Sequence, residues 1–334
     1  MKLSSCTAIA GTNIALVKYW GKRDAALNLP AAGSLSLTLK ELGTRTTVRF
    51  GSHLGSEDRL RFNGRDADDR TRARVGAFLD LVRDSAGIDA RAEVVTENSV
   101  PTAAGLASSA SGFAALALAA TRAAGLALEP AQLSALARRG SGSAARSIFG
   151  GFVEMTRGRR LDGTDSVAVP LGEGDTWPVR LVVAVTAEGE KAVGSTEAMG
   201  HTARTSPFYA GWLDSVPRDL EEARAAIADR DLSRLGLVAE RSAIRMHASA
   251  MAADPGIFYW TPATLAAMQA IRALRDDGGV KAYFTIDAGP HVKVLCEQSD
   301  VAEVERTLAA TPGVLRTLAT SPGRGARILH ETTA

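Results

Sequence analysis

The residues best suited to chemistry gather in four short stretches. Pro101, Thr102, Ala103, Ala104, Gly105, Leu106, Ala107, Ser108 and Ser109 form a run made almost wholly of small side chains. Such a run lets backbone N–H groups approach an anion, and a helix that starts at its end points its positive terminus at the same spot. The hydroxyls of Ser108 and Ser109 could add donors to a phosphate, and a serine oxygen there could ligate Mg²⁺. A tight cap on a closely packed helix would have the same composition. No Gly-Lys-Ser/Thr ending occurs, so this is not a Walker loop.

A second small-residue run, Gly140, Ser141, Gly142, Ser143, Ala144 and Ala145, matches the letters of the dinucleotide fingerprint G-x-G-x-x-A. That fingerprint must follow a strand, whereas a helical segment precedes this one. A second anion cradle fits better, with the Arg146 guanidinium as a charged clamp, although an ordinary helix cap explains Ser-Gly-Ser too. Lys18, Tyr19, Trp20, Gly21 and Lys22 set two cations among two amphipathic aromatics, which suits a multiply charged small ligand or, more blandly, an aromatic anchor with solvated lysines. Asp287 ends the apolar run Tyr283, Phe284, Thr285, Ile286 and precedes Ala-Gly-Pro. A carboxylate at a strand end is poorly placed for a solvated surface charge and well placed for acid–base work, and a turn-capping role competes with that reading. His247 is expected to pack on a helix. No pair of histidines has metal spacing, and no G-x-S-x-G elbow occurs.

These groups need a scaffold. Period-two alternation over residues 34–39 and β-forming residues over 46–50 and 90–95 predict strands, with Asn63-Gly64 as a turn. Residues 106–126, rich in Ala, Leu, Gly and Ser, predict a helix buried on most sides. A helix over 129–139 should end at Gly140, with a new start at 141–143. Strands are expected over 152–156, 180–187, 281–286 and 292–297, and helices over 206–251, from Thr261-Pro262 to 276–279, and over 301–310. The texture changes after Trp177-Pro178, so the domain boundary is placed near residue 175, with domains at 1–175 and 176–334.

The chain has 334 residues, 46% of them apolar and 23% charged, which is the composition of a globular protein with room for two domains. A net charge of +2 offers nothing to nucleic acid or a membrane surface. No apolar run approaches the roughly 18–20 residues of a membrane span, and no signal peptide is evident. Two cysteines cannot build a disulfide scaffold. A cytoplasmic protein is expected. Lysines number seven against thirty-two arginines, so Lys18 and Lys22 side by side stand out.

Taken in order along the chain, residues 12–22, 101–111, 138–147, 194–196 with Met199, 245–248, and 284–290 with 292–295 resemble the diphosphomevalonate decarboxylase family of the GHMP kinase superfamily. The resemblance implies an α/β (α+β) fold of two domains, an N-terminal one like ribosomal protein S5 domain 2 and a ferredoxin-like C-terminal one. It implies ATP as co-substrate, with Mg²⁺, cradled by Pro101, Ala104, Gly105, Leu106, Ala107, Ser108 and Ser109, and Ser108 at the γ-phosphate and the metal. Arg70 would lie near the nucleotide. The substrate, mevalonate 5-diphosphate, would meet Tyr19, Trp20, Gly21, Lys22, Ser141, Gly142, Ser143, Ser195, Thr196 and Met199. Lys18 and Arg146 would serve the reaction, and Asp287 would act at the 3-hydroxyl as a base or an orienting group. A homodimer is implied as well.

Three positions depart from the family pattern: Ala31-Ala32-Gly33 in place of a bulkier polar turn, Glu197 after Thr196, and His291 in place of asparagine. They bear on the substrate more than on the reaction type. A mevalonate or phosphomevalonate 3-kinase or decarboxylase of the same superfamily is the alternative, and a non-catalytic nucleotide-binding regulator is the remote one.

Overall fold

The computed structural model describes residues 5–51, 55–99, 108–172, 177–189 and 193–332, with Glu41 and Ser108 described by their backbones alone. The two β-forming runs between residues 34 and 50 are joined in one long strand, β4 (Ser34–Gly51), which pairs with β1 (Ser5–Val17). No proline or turn pair interrupts β4, and its partner is long enough to follow it. Where the register shifts after Gly11, that glycine faces Gly43. A Cβ at Gly11 would lie 2.4 Å from the Leu39 carbonyl oxygen, and one at Gly43 2.4 Å from that of Ala10. Only bare backbones fit this close at the irregularity.

The first sheet has eight strands. The far half of β4 pairs with β7 (Arg91–Asn98), and the sheet continues through β5 (Arg59–Phe62) to β6 (Arg65–Asp66). The near half of β4 pairs with β8 (Phe152–Met155), which carries β9 (Ala168–Pro170). Between β5 and β6, Asn63 and Gly64 both take positive φ (48° and 78°), the mirror-image hairpin turn their sequence predicts. One face is covered by α1 (Asp69–Ala86), α2 (Ser108–Ala123), α3 (Pro130–Gly140) and the single turn α4 (Ala144–Ser147). Ala114, Ala117 and Ala120 of α2 expose no surface, so small side chains bring this helix down onto β1 and β4. The helix stops short of residue 126, because Gly125 turns left-handed at φ 77° and Leu126 N–H donates to the Thr121 carbonyl at 2.8 Å. A capping box between Glu129 and Gln132, with Pro130 in the first turn, starts α3.

The second sheet is antiparallel, in the order β11 (Ala282–Ile286), β12 (Val292–Glu297), β10 (Val179–Val185), β13 (Arg316–Thr320). Alternation sorts its two faces. Val182, Ala184, Phe284 and Ile286 pack under α8 (Pro262–Asp276) and α9 (Val301–Ala309), each apolar side chain contributing about 1.5–3 kcal/mol on full burial. Leu181, Val183, Val185 and Tyr283 face the other way and share one core with Leu16, Leu35 and Leu37 of the first sheet and with α6 (Tyr209–Ala228) and α7 (Leu232–Met251). The two sheets therefore meet across continuous apolar packing. The last strand, β14 (Arg327–Thr332), expected with the second domain, instead pairs with β1 at the edge of the first sheet. No helix among the described residues is long and apolar enough to cross a membrane.

Candidate functional site

Where β1 and β11 end side by side, three charged groups meet. Thr285 of β11 donates its hydroxyl to the Ala15 carbonyl of β1 at 3.3 Å, which holds the two strand ends together. Lys18 follows β1, with its backbone N–H on Ser242 Oγ of α7 at 3.0 Å. Its Nζ donates to the Ala15 carbonyl and to Asp287 Oδ1, both at 2.7 Å. From β12, Lys293 Nζ lies 3.3 Å from Asp287 Oδ2. Both lysines are almost wholly buried, whereas Asp287 keeps 29% of its side chain open. Burial alone would raise the Asp287 pKa, but the charges and hydrogen bonds of Lys18 and Lys293 outweigh it and hold the carboxyl well below the usual range. Burial also brings Lys18 down to about 8 against the pull of Asp287, with Lys293 and Arg146 adding to the fall. His247 of α7 adds no charge, since burial and then Lys18 push its pKa down to about 3.

Arg146 lies beside this group on α4, 2% exposed. Its Nε donates to Ser36 Oγ at 2.9 Å, Nη1 to Ser34 Oγ at 2.5 Å and Nη2 to Asn13 Oδ1 at 3.2 Å. Asn13 in turn donates to the Ser143 carbonyl and Ser147 Oγ, fixing the turn that carries the arginine. These three acceptors are neutral, so the guanidinium is oriented without being neutralised. Burial pulls its pKa down to about 10, still far above neutrality. Three buried cations therefore face one carboxylate, a surplus that a bound anion would balance.

The hydroxyls of Ser109, Ser141 and Ser143 form a row, at 3.4 Å from Ser109 to Ser141 and 3.3 Å from Ser141 to Ser143. Gly142 passes so close to Tyr19 that a Cβ there would lie 2.3 Å from the phenol oxygen. The Tyr19 hydroxyl is buried with no partner among the described residues, and burial, partly offset by Arg146 and Arg138, takes its pKa to about 12. Lys22, on the short strand β2 (Lys22–Asp24), donates to Asn28 Oδ1 at 2.6 Å. Its pKa is lowered by burial and by Arg74 of α1, which Arg70 lowers in turn after burial. Lys22, Arg74 and Arg70 thus form a second group of cations, with Arg74 anchored on the Gly140 carbonyl at 2.8 Å.

Gly21 has φ 99° and lies against the Tyr209 ring, where a side chain has no room. Trp20 is 2% exposed, with its ring edge-on to Tyr259 at 6.4 Å between centroids. Tyr259 donates to the Val193 carbonyl at 3.2 Å, just ahead of α5 (Ser195–Thr205). Ser195, Thr196 and Met199 all lie in the first turns of α5, Thr196 exposed and Met199 in the core that holds Trp20. Glu197 is exposed in the same turn. His291 is buried, accepts the Thr186 N–H on Nδ1 at 3.2 Å, and offers its carbonyl to Lys293. Burial and then Lys293 lower its pKa to about 4, so it braces the junction of β10 and β12 as a neutral ring. Pro101, Ala104, Gly105, Leu106 and Ala107 lie outside the described residues, as does the Ser108 side chain; Ser108 itself opens α2.

Lys293, Arg74, Asn13, Ser34 and Ser36 escaped the sequence reading. Only Lys293 carries a local signal, as one of few lysines and set between apolar residues in a strand. The others are ordinary in their segments and become special through partners far along the chain, 66 residues away for Arg74 and Gly140 and 110 for Ser36 and Arg146.

Two sheets share one core, and between them a partly open carboxylate meets three buried cations, a setting suited to a small anionic ligand. Residues 10–168 match the diphosphomevalonate decarboxylase-like N-terminal domain, and residues 181–321 the mevalonate 5-diphosphate decarboxylase C-terminal domain. The chain is 37% identical to diphosphomevalonate decarboxylase mvd1 of Aspergillus fumigatus, covering 92% of this chain and 80% of that protein. Its fold superposes on mevalonate diphosphate decarboxylase of Staphylococcus aureus with TM-score 0.93 at 40% identity, covering 98% of both chains. It also superposes with TM-score 0.91 and 43% identity on a structure described as MDDEF in complex with MVAPP, AMPPCP and magnesium, covering 98% of this chain and 99% of that one. The chain belongs to the diphosphomevalonate decarboxylase family.

Proposed function

We propose that the protein converts mevalonate 5-diphosphate and ATP into isopentenyl diphosphate, ADP, phosphate and CO₂. The observation that carries this reading is Asp287 held ionised between Lys18 and Lys293, with Arg146 unneutralised beside them. A tertiary hydroxyl is a poor leaving group until phosphorylated. Its oxygen bonds to the γ-phosphorus as the bond to ADP breaks, and its proton is released. The C3–O bond then breaks with its electrons leaving on phosphate, the carboxylate carbon departs as CO₂, and the freed pair forms the new double bond.

Asp287 accepts the hydroxyl's hydrogen bond and aims the oxygen. A carboxylate so firmly ionised is a weak base, so the proton moves only as the O–P bond forms and acidifies the oxygen. Arg146 and the serines at 141 and 143 hold the diphosphate, with Tyr19 and Lys22 alongside. Arg70, Arg74 and the N-terminus of α2 receive the nucleotide phosphates, and Ser195 and Thr196 close the substrate side. Among the described residues no three acidic, histidine or cysteine side chains gather as a metal cage. That suits Mg²⁺ carried mainly by phosphates and water, with Ser108 as the protein oxygen. Bound there, Mg²⁺ would offset phosphate charge as phosphoryl transfer proceeds.

The test is ATP-dependent release of ¹⁴CO₂ from mevalonate carrying zero, one or two phosphates. The diphosphate should be favoured about ten- to a hundredfold over the monophosphate in kcat/KM, since each charge-assisted hydrogen bond contributes roughly 1.5–3 kcal/mol. Equal values would favour a monophosphate enzyme, 3-phosphorylated product without CO₂ a kinase, and ATP binding without turnover a regulator.

Acidity provides a second check. Lys18 carries its charge below about pH 8 and loses it above, because burial has lowered its pKa. The profile of kcat/KM, which reports the free enzyme, should therefore fall about tenfold per pH unit beyond that point. In Lys18→Arg the alkaline limb should vanish. A limb unmoved by that change belongs to another group. We further propose a cytoplasmic homodimer, by resemblance to the family.

A further inference from the structure

A second site lies away from the catalytic group. Between the open side of β1 and β4 and the start of the second sheet is a cavity of about 750 Å³, within the usual range for small-molecule sites. Lys40, Arg180, Arg324 and Arg327 line it, and none of the described lining residues is acidic. Arg180 donates to the Val179 carbonyl at 2.8 Å and to Gln298 Oε1 at 2.6 Å, both neutral. Among the described residues, no carboxylate lies within ion-pair distance of Arg180, Arg324 or Arg327. The walls beneath these cations are apolar: Ile9, Leu39, Leu42 and Pro322, with the half-buried Trp177 indole at one end.

Like charges converge here because distant segments meet. Arg327 lies on β14 directly across from Ile9, Arg324 stands in the link between β13 and β14, and Arg180 comes from β10. Gathering Arg180, Arg324 and Arg327 around one hollow, with no described carboxylate within ion-pair distance of them, costs repulsion that a bound anion would relieve. Gly11, in this wall, and Lys18 are roughly 20 Å apart along one extended run at about 3.3 Å per residue, so the hollow lies away from Lys18 and Asp287.

We propose that this cavity binds a phosphorylated small molecule with an apolar body, its phosphate on Arg180, Arg324 and Arg327 and its body against Ile9, Leu39 and Trp177. Inorganic phosphate alone would use only the rim, and an uncharged alcohol only the walls.

The experiment titrates octyl phosphate, octanol and inorganic phosphate into the whole protein by calorimetry, with tryptophan emission followed in parallel. Octyl phosphate should bind saturably and more tightly than either of the others, and its effect on emission should disappear in Trp177→Phe while the heat remains. In the double variant Arg324→Ala, Arg327→Ala the affinity should fall ten- to a hundredfold. Both arginines are exposed and neither serves the reaction, so kcat/KM should stay within about twofold of the parent. Absence of saturable binding, equal affinity in parent and double variant, or octanol binding as well as octyl phosphate would each overturn the proposal. Stoichiometric displacement of octyl phosphate by AMPPCP or mevalonate 5-diphosphate would also overturn it, by assigning the heat to the catalytic site.

Discussion

Asp287→Asn is expected to remove between about 10² and 10⁴ of kcat while leaving ATP affinity and the circular dichroism spectrum near those of the parent. The amide has almost the carboxylate's shape, so no cavity opens to explain the loss. What changes is charge. Lys18 and Lys293 now face each other across a neutral group, and the amide can no longer accept the substrate hydroxyl's proton. Lys18 loses the partner that holds its pKa up, and so should fall below about 8. Shedding that proton relieves the repulsion and keeps the fold intact. More than about a tenth of parental kcat in the variant would reject a direct role for Asp287. A matching loss of ATP affinity would instead point to damage spread across the site.

Arg146→Lys keeps the charge and should still lower kcat/KM about a hundredfold. The guanidinium spreads its donors over Ser36, Ser34 and Asn13 from three nitrogens, and this holds the fork in one plane. A lysine is a point donor that reaches one of these acceptors at a time. At roughly 1.5–3 kcal/mol for each charged hydrogen bond lost, one or two missing bonds to the diphosphate account for the fall. Discrimination between the mono- and diphosphate substrates should narrow together with it. Ser34 and Ser36 would be left buried with a donor removed, so the midpoint of thermal unfolding should drop by several degrees. Retention of kcat/KM within about threefold would show that charge alone suffices and that the fork is dispensable.

Secondary structure was legible wherever one periodicity ran without competition. Short apolar, β-forming runs marked β10, β11 and β12, and the Thr261-Pro262 start of α8 is there, with Thr261 Oγ1 accepting the Thr264 N–H. The misjudged places have a common cause. Residues 40–45 fall between two predicted strands, yet β4 runs through them: β1 pairs with it on either side of the irregularity where Gly11 faces Gly43, and Lys40 N–H donates instead to the distant Ser321 carbonyl at 2.9 Å. Residues 327–332 look like the end of the second domain, yet they complete the edge of the first sheet. Strand pairing is a relation between segments, and local propensity carries no record of the partner.

The sequence by itself determined the chemical inventory: a small-residue run over 101–109, a Ser-Gly-Ser segment followed by Arg146, a lysine pair around two aromatics, an Asp287 closing an apolar run, and through their order the family. Tertiary structure alone decided what those groups are. It brought Lys293 to within 3.3 Å of Asp287, surrounded Arg146 with neutral acceptors rather than carboxylates, and set Arg74 beside Lys22. Charge state and hydrogen-bond partners depend on burial and on distances of a few ångströms between residues far apart in the chain, and both come into being only when the two sheets close on their shared core.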